Sequence, residues 1–124
     1  MKLTRKEFEE AVLLALERLP RSIRRKMKNV DVVIEDRASP EILSEMGLRS
    51  SSELLGLYQG VPLDQRGFYY GNVLPDKITL FKIPIESMCR TKEEVEKRIK
   101  EVVIHEVGHH FGLDDERLRE LEDE

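Results

Sequence analysis

A chain of 124 residues carrying a net charge of −4 is expected to form one domain over residues 1–124, with material for a single core and not for two. No apolar run approaches the roughly 18 residues of a membrane span, the acidic balance offers nucleic acid no general attraction, and the chain opens on an amphipathic segment rather than a signal peptide. The single cysteine, Cys89, excludes an internal disulfide and suits a reducing cytoplasm.

Thr4-Arg5-Lys6-Glu7 has the pattern of a capping box, with Glu7 reaching back to the N-cap. Behind it Phe8, Ala11, Val12, Ala15, Leu16 and Leu19 recur at helical spacing and predict a core-facing stripe that breaks at Pro20. A second short helix carries Ile23 and Met27 inward. Its surroundings are basic: Arg18, Arg21, Arg24, Arg25, Lys26 and Lys28. Such a run reads either as a patch for RNA or an acidic partner, or as a solvated face, and the solvated face is the commoner case.

Residues 30–35 are β-branched and apolar, which predicts a buried strand. Ser39-Pro40 predicts the start of another helix, closed by Gly47, and the serine-rich residues 48–53 read as loop. Residues 54–60 form a second expected strand. Pro62, Asp64 and Gly67 mark a loop, followed by a short strand or lid at 68–72. Residues 78–83 are the third expected strand, ended by Pro84. Thr91-Lys92-Glu93-Glu94 is a second capping-box pattern, opening a helix with Val95, Ile99, Val102 and Val103 on its core face. Ile104, Val107 and Phe111 widen that apolar girth, so the helix is expected to be buried on several sides. Gly108 costs it helix propensity, which suggests room for a close neighbour, a strand or a substrate. Leu118 and Leu121 pin a last, acidic helix.

All three histidines fall between His105 and His110, on that same helix. His105 and His109 are four apart and share a face, so both can reach one ion, and Glu106 lies to the side of them. A catalytic zinc usually takes three protein ligands and keeps one position open. Asp115 offers the third, provided that the helix ends first, and Gly112 accepts the left-handed conformation that ends helices and reverses the chain. The pattern is therefore H-E-x-x-H-x-x-G-x-x-D, filled by His105, Glu106, His109, Gly112 and Asp115.

With these residues, and with Leu57-Tyr58-Gln59-Gly60-Val61-Pro62-Leu63 and Leu74-Pro75-Asp76-Lys77-Ile78-Thr79-Leu80, the chain resembles the small zincin-like minimal metallopeptidases. The resemblance runs from about Val30 onwards. It implies an α+β fold, a small mixed sheet of three to four strands packed on helices, with a Zn2+ site of two His and one Asp. The wider metzincin clan usually has His at the third position and a methionine-containing turn after it; here Asp115 stands there and no Met follows.

Each site residue has a plainer competitor. His105 and His109 alone would be core histidines, but two at ligand spacing around an acid point to metal. Glu106 on so apolar a helix is costly to bury without a task, and general base is the task assigned. Asp115 competes with a capping role, which Asp114 can take instead. His110 lies about 100° round from His109 and should not reach the same ion; a structural role suits it. Tyr58, Tyr69 or Tyr70 could donate to an oxyanion, although core packing is the commoner use. Leu57, Tyr58 and Gln59 are the candidate edge for an extended peptide. The leading expectation is a cytoplasmic zinc metallopeptidase acting on peptides or unfolded protein, with neither nucleic acid nor membrane as partner. Two alternatives stand beside it. One is a metal-dependent endoribonuclease of the kind that matures ribosomal RNA, whose H-x-x-x-H-x-x-x-x-x-H pattern lacks the Glu106 equivalent; the other is a non-catalytic metal-binding module.

Overall fold

The computed structural model describes residues 1–61 and 74–124. The loop markers Pro62, Asp64 and Gly67, the expected strand or lid at 68–72, and Tyr69 and Tyr70 lie outside the described residues.

Thr4 caps α1 (Arg5–Glu17) with the full reciprocal box, its side chain accepting from Glu7 N while Glu7 Oε1 accepts from Thr4 N. Phe8, Ala11, Val12 and Ala15 bury the expected stripe. Helix α2 (Arg21–Lys26) buries Ile23 and leaves Arg21, Arg24 and Arg25 in solvent. Arg18 is spent on an ion pair with Glu96. For the most part, then, the basic run is the solvated face of a small helix.

Among the described residues three strands form one mixed sheet in the order β1-β3-β2, with β1 at Val30–Glu35, β2 at Gly56–Gln59 and β3 at Asp76–Phe81. The central strand β3 runs parallel to β1 and antiparallel to β2, pairing Val32 with Ile78 and Tyr58 with Ile78. Burial follows that order. Ile78, Leu80 and Phe81 of β3 are fully covered, whereas β1, an edge strand among the described residues, is only half-buried. The expectation of a buried β1 is thus corrected: a run of Val and Ile reports β-propensity, which an edge strand satisfies as well as a central one.

Two further corrections concern element ends. The third strand stops at Phe81, and Pro84 does not follow a strand but lies in the first turn of α4 (Lys82–Ser87), where a missing N–H costs nothing. Residues 48–53 are not all loop, because Ser51–Glu53 form a 3-10 turn capped by Ser50. Helix α3 (Pro40–Met46) begins and ends as expected, on Ser39 and on Gly47 at φ 70°. The cap of α5 (Lys92–His110) is half the expected box: Thr91 accepts from Glu94 N, but Glu94 Oε2 accepts from Arg90 N.

Helix α5 packs against α1, α6 (Asp115–Glu122) and β2, with Val95, Ile99, Val103, Ile104 and Val107 fully buried. Its cover ends at Gly108, since His109, His110 and Phe111 are exposed. Phe111 therefore does not extend the buried girth, and the last turn stands open to solvent. Among the described residues no helix is long and apolar enough to cross a membrane.

Candidate metal centre

The turn after α5 is built as the sequence requires. Gly112 has φ 83°, its N–H donates to His109 O, and Leu113 N–H donates to Gly108 O. These two bonds make a Schellman ending, which needs a left-handed residue between helix and reversal. Asp114 then caps α6, its Oδ1 accepting from Arg117 N at 2.8 Å. With the cap so filled, Asp115 begins α6 and turns its carboxylate to α5.

Leu118 and Leu121 bury themselves against α5 and fix the distance between the helices. A β-carbon at Gly108 would stand 2.1 Å from Leu118 Cδ2. The close neighbour of Gly108 is hence α6, not a strand or a substrate. The approach brings donor atoms of His105, His109 and Asp115 within 4.8 Å of one another. Asp115 Oδ1 is 3.0 Å from His109 Nε2, and the two imidazoles lie edge to face at 5.3 Å. The His109 imidazole holds the Asp115 carboxyl below the usual carboxylate range. Two imidazole nitrogens and one carboxylate oxygen, open to solvent on one side, are a donor set that fits a zinc-like ion: tetrahedral ligands at about 2.0–2.1 Å lie roughly 3.3 Å apart, close to the His109–Asp115 separation.

Glu106 faces the sheet. Gly56 lets β2 approach α5 closely, since a β-carbon there would stand 2.6 Å from Val102 Cγ1. Two residues on, Tyr58 N–H donates to Glu106 Oε1 at 3.2 Å. Burial raises the Glu106 carboxyl above its ordinary range, opposed by that hydrogen bond and by the nearby imidazoles. A cleft of about 330 Å³ opens between the start of β2 and α5, bordered by Leu54, Gly56, Val102, His105 and Glu106.

Tyr58 turns its hydroxyl to Asp76 Oδ2 at 2.6 Å, and its ring stacks on His110 at 4.0 Å. His110 Nε2 lies 3.8 Å from Asp76 Oδ2. So His110 belongs to a cluster with Tyr58 and the buried Asp76 and not to the metal group. Two residues that the sequence reasoning passed over stand beside the centre. Asp76 gathers Tyr58 and Val61 N at 2.9 Å, and Glu122 Oε1 lies 3.0 Å from His105 Nε2. Glu122 carried a signal, standing seven residues past Asp115 on the same face of α6.

Comparison with known proteins agrees with this architecture. A family model described as zincin-like metallopeptidase matches residues 27–124. Among solved structures, a conserved hypothetical protein from Thermus thermophilus superposes with a TM-score of 0.52 at 22% identity, covering 87% of this chain and 94% of that one, a likeness of fold. No curated protein matches the chain.

Proposed function

Since the chain belongs to the zincin-like metallopeptidase family, we propose that it is a zinc-dependent peptidase that hydrolyses peptides or unfolded protein, with His105, His109 and Asp115 as ligands and Glu106 as general base. One observation carries the reading. The three donor atoms lie within 4.8 Å of one another, while the adjacent Glu106 is held in the cleft that a substrate would enter. A bound zinc ion supplies Lewis acidity, polarising a carbonyl and lowering the pKa of water toward about 7.

The chain's own residues do the rest. Glu106 takes a proton from the attacking water and passes it to the departing amine, and its raised pKa brings it nearer the poise such a shuttle needs. The Tyr58 N–H fixes the carboxylate's direction. Leu57, Tyr58 and Gln59 lie on β2, an edge strand among the described residues, and an extended peptide is proposed to lie along that border of the cleft. The buried Cys89, with no second cysteine in the chain, supports a reducing compartment. The test is digestion of unfolded casein by zinc-loaded protein. Glu106→Gln should lose cleavage while retaining the metal; cleavage that survives the substitution would overturn the assignment.

A further inference from the structure

We propose that the cleft beside the metal group is a side-chain subsite for lysine or arginine, so that the preferred substrates are peptides with a basic residue next to the bond that is cut. The inference rests on the peptidase reading of the centre and adds the substrate class. One face of α5 builds a wall of the cleft: Arg98, Glu101, Val102, His105 and Glu106 recur at helical spacing and all border it. Glu101 precedes His105 by four residues, a rise of about 6 Å along the helix, which is a distance that a lysine or arginine side chain spans. A substrate residue whose backbone lies at the metal group thus has a path for its side chain back along α5, toward Glu101.

The lining divides by chemistry. Leu54 and Val102 are buried and Leu55 is half-buried, which gives the cleft an apolar floor for an aliphatic stem. Apart from Glu106, the more exposed rim carries the carboxylates of Glu53, Glu101 and Glu122 against one cation, Arg98. Glu53 and Glu101 are fixed by bonds that use one oxygen each. Glu53 Oε2 accepts from Arg49 N at 3.0 Å and from Ser50 N at 3.2 Å, and Glu101 Oε2 accepts from Arg98 Nη1 at 3.2 Å. A carboxylate has lone pairs on both oxygens, so each can offer Oε1 to a cationic head. The Glu101 side chain is only 26% exposed, and a partly buried charge is screened less than one in open solvent. Charges of one sign in a cleft with apolar walls concentrate the opposite charge there. A neutral apolar side chain fits the floor but leaves the rim unmatched. A glutamate side chain meets the carboxylates and is rejected. The occupant that satisfies both layers has a hydrocarbon stem and a positive end.

The test uses the full zinc-loaded chain. A mixed peptide library, digested and read by mass spectrometry, should be cut at sites with Lys or Arg at one fixed position flanking the bond. Norleucine has the hydrocarbon stem of lysine without the ammonium. In matched peptides varied at that position, lysine should exceed norleucine by about tenfold in kcat/KM, the scale of a charge-assisted hydrogen bond, and glutamate should be poorest. Glu101→Gln should narrow the lysine-to-norleucine ratio, and the double variant with Glu53→Gln should narrow it further. Glu9→Gln, exposed on α1 and outside the cleft, should leave the ratio at its wild-type value. A library cut with no basic preference, or a ratio that the double variant leaves unchanged, overturns the proposal while the peptidase reading stands. If no peptide is cut, the peptidase reading falls, and fluorescence anisotropy of labelled lysine and norleucine peptides on the same protein still decides the subsite. Tighter binding of the lysine peptide supports a cationic occupant, and equal or weaker binding overturns it.

Discussion

Gly108 and Leu118 are in such close apposition that the α5–α6 spacing depends on a missing methyl group: a β-carbon at 108 would lie 2.1 Å from Leu118 Cδ2 and 3.4 Å from its Cγ. Leu118 is fully buried, so a rotation that clears the added methyl must be accommodated within the core. In an exposed helix Gly→Ala gains about 1 kcal/mol of propensity. Here overpacking of about 1–3 kcal/mol opposes it, and Gly108→Ala should be net destabilising in urea unfolding. Adding Leu118→Val should recover part of the loss. Since α6 carries Asp115, zinc affinity should fall alongside stability; a Gly108→Ala protein at least as stable as the wild type would show that the contact yields easily.

The turn at Gly112 gives a contrasting case. Nothing lies within 4 Å of a β-carbon there, and φ is +83°. Gly112→Ala therefore meets no clash and is opposed by backbone conformation alone, about 1–2 kcal/mol. Asparagine tolerates that region better, so Gly112→Asn should lose less. Calorimetric melting of the two variants checks the order; equal losses would point to sterics instead.

How much of this was legible from residues depends on whether a feature is local. The helices that carry caps, Thr4 for α1 and Ser39 for α3, announce themselves, because a cap and its first turn are neighbours in sequence. Helix α4 did not, since Phe81 caps it without a side-chain bond and Lys82-Ile83-Pro84 continues a strand-like run. The ligand pattern from His105 to Asp115 spans one helix end and one turn, and spacing suffices to read it. Glu122 on His105 and Asp76 on Tyr58 join separate elements. Spacing puts Glu122 on the same face of α6 as Asp115, but which residue Glu122 or Asp76 meets depends on how α6 and β3 dock.

Adjacent aspartates at the start of α6 separate two roles. Asp114 Oδ1 caps the helix at Arg117 N, and Asp115 Oδ1 faces His109. Asp114→Ala should cost about 1 kcal/mol of stability, the usual value of a lost N-cap. It should weaken zinc binding only slightly. Asp115→Ala should do the reverse, leaving the unfolding midpoint of the chelated protein almost unchanged while abolishing tight binding. Denaturation and chelator competition on the same two variants give a cross-over if the roles are distinct, and parallel losses if they are not.

Glu7 ties α1 to α5 as well as capping α1. Its Oε2 lies 2.8 Å from Lys92 Nζ, and that contact, with the bonds from Thr4, lowers its pKa to about 2. The folded value lies below the ordinary 4.5. The stabilisation is therefore complete above the unfolded pKa and is lost as pH falls from about 4.5 toward 2. Glu7→Gln should be less stable than the wild type at neutral pH, with the gap closing across that acid window. A gap that persists at the acid end would assign the loss to hydrogen-bond geometry rather than charge.

Glu106 has the opposite sign. Burial raises its folded pKa above the unfolded value, so the folded state binds the proton more tightly. Stability falls as pH rises through the interval between the two values, and at neutral pH the ionised carboxylate is a cost to the metal-free fold. Glutamine keeps an oxygen for the Tyr58 N–H and carries no charge to desolvate. In chelator, Glu106→Gln should melt a few degrees above the wild type at neutral pH, and the advantage should shrink toward acid as the wild-type carboxyl protonates. A variant that melts lower at neutral pH would mean that the nearby imidazoles outweigh the burial cost, and that this carboxylate is held in the cleft by attraction and not against a stability penalty.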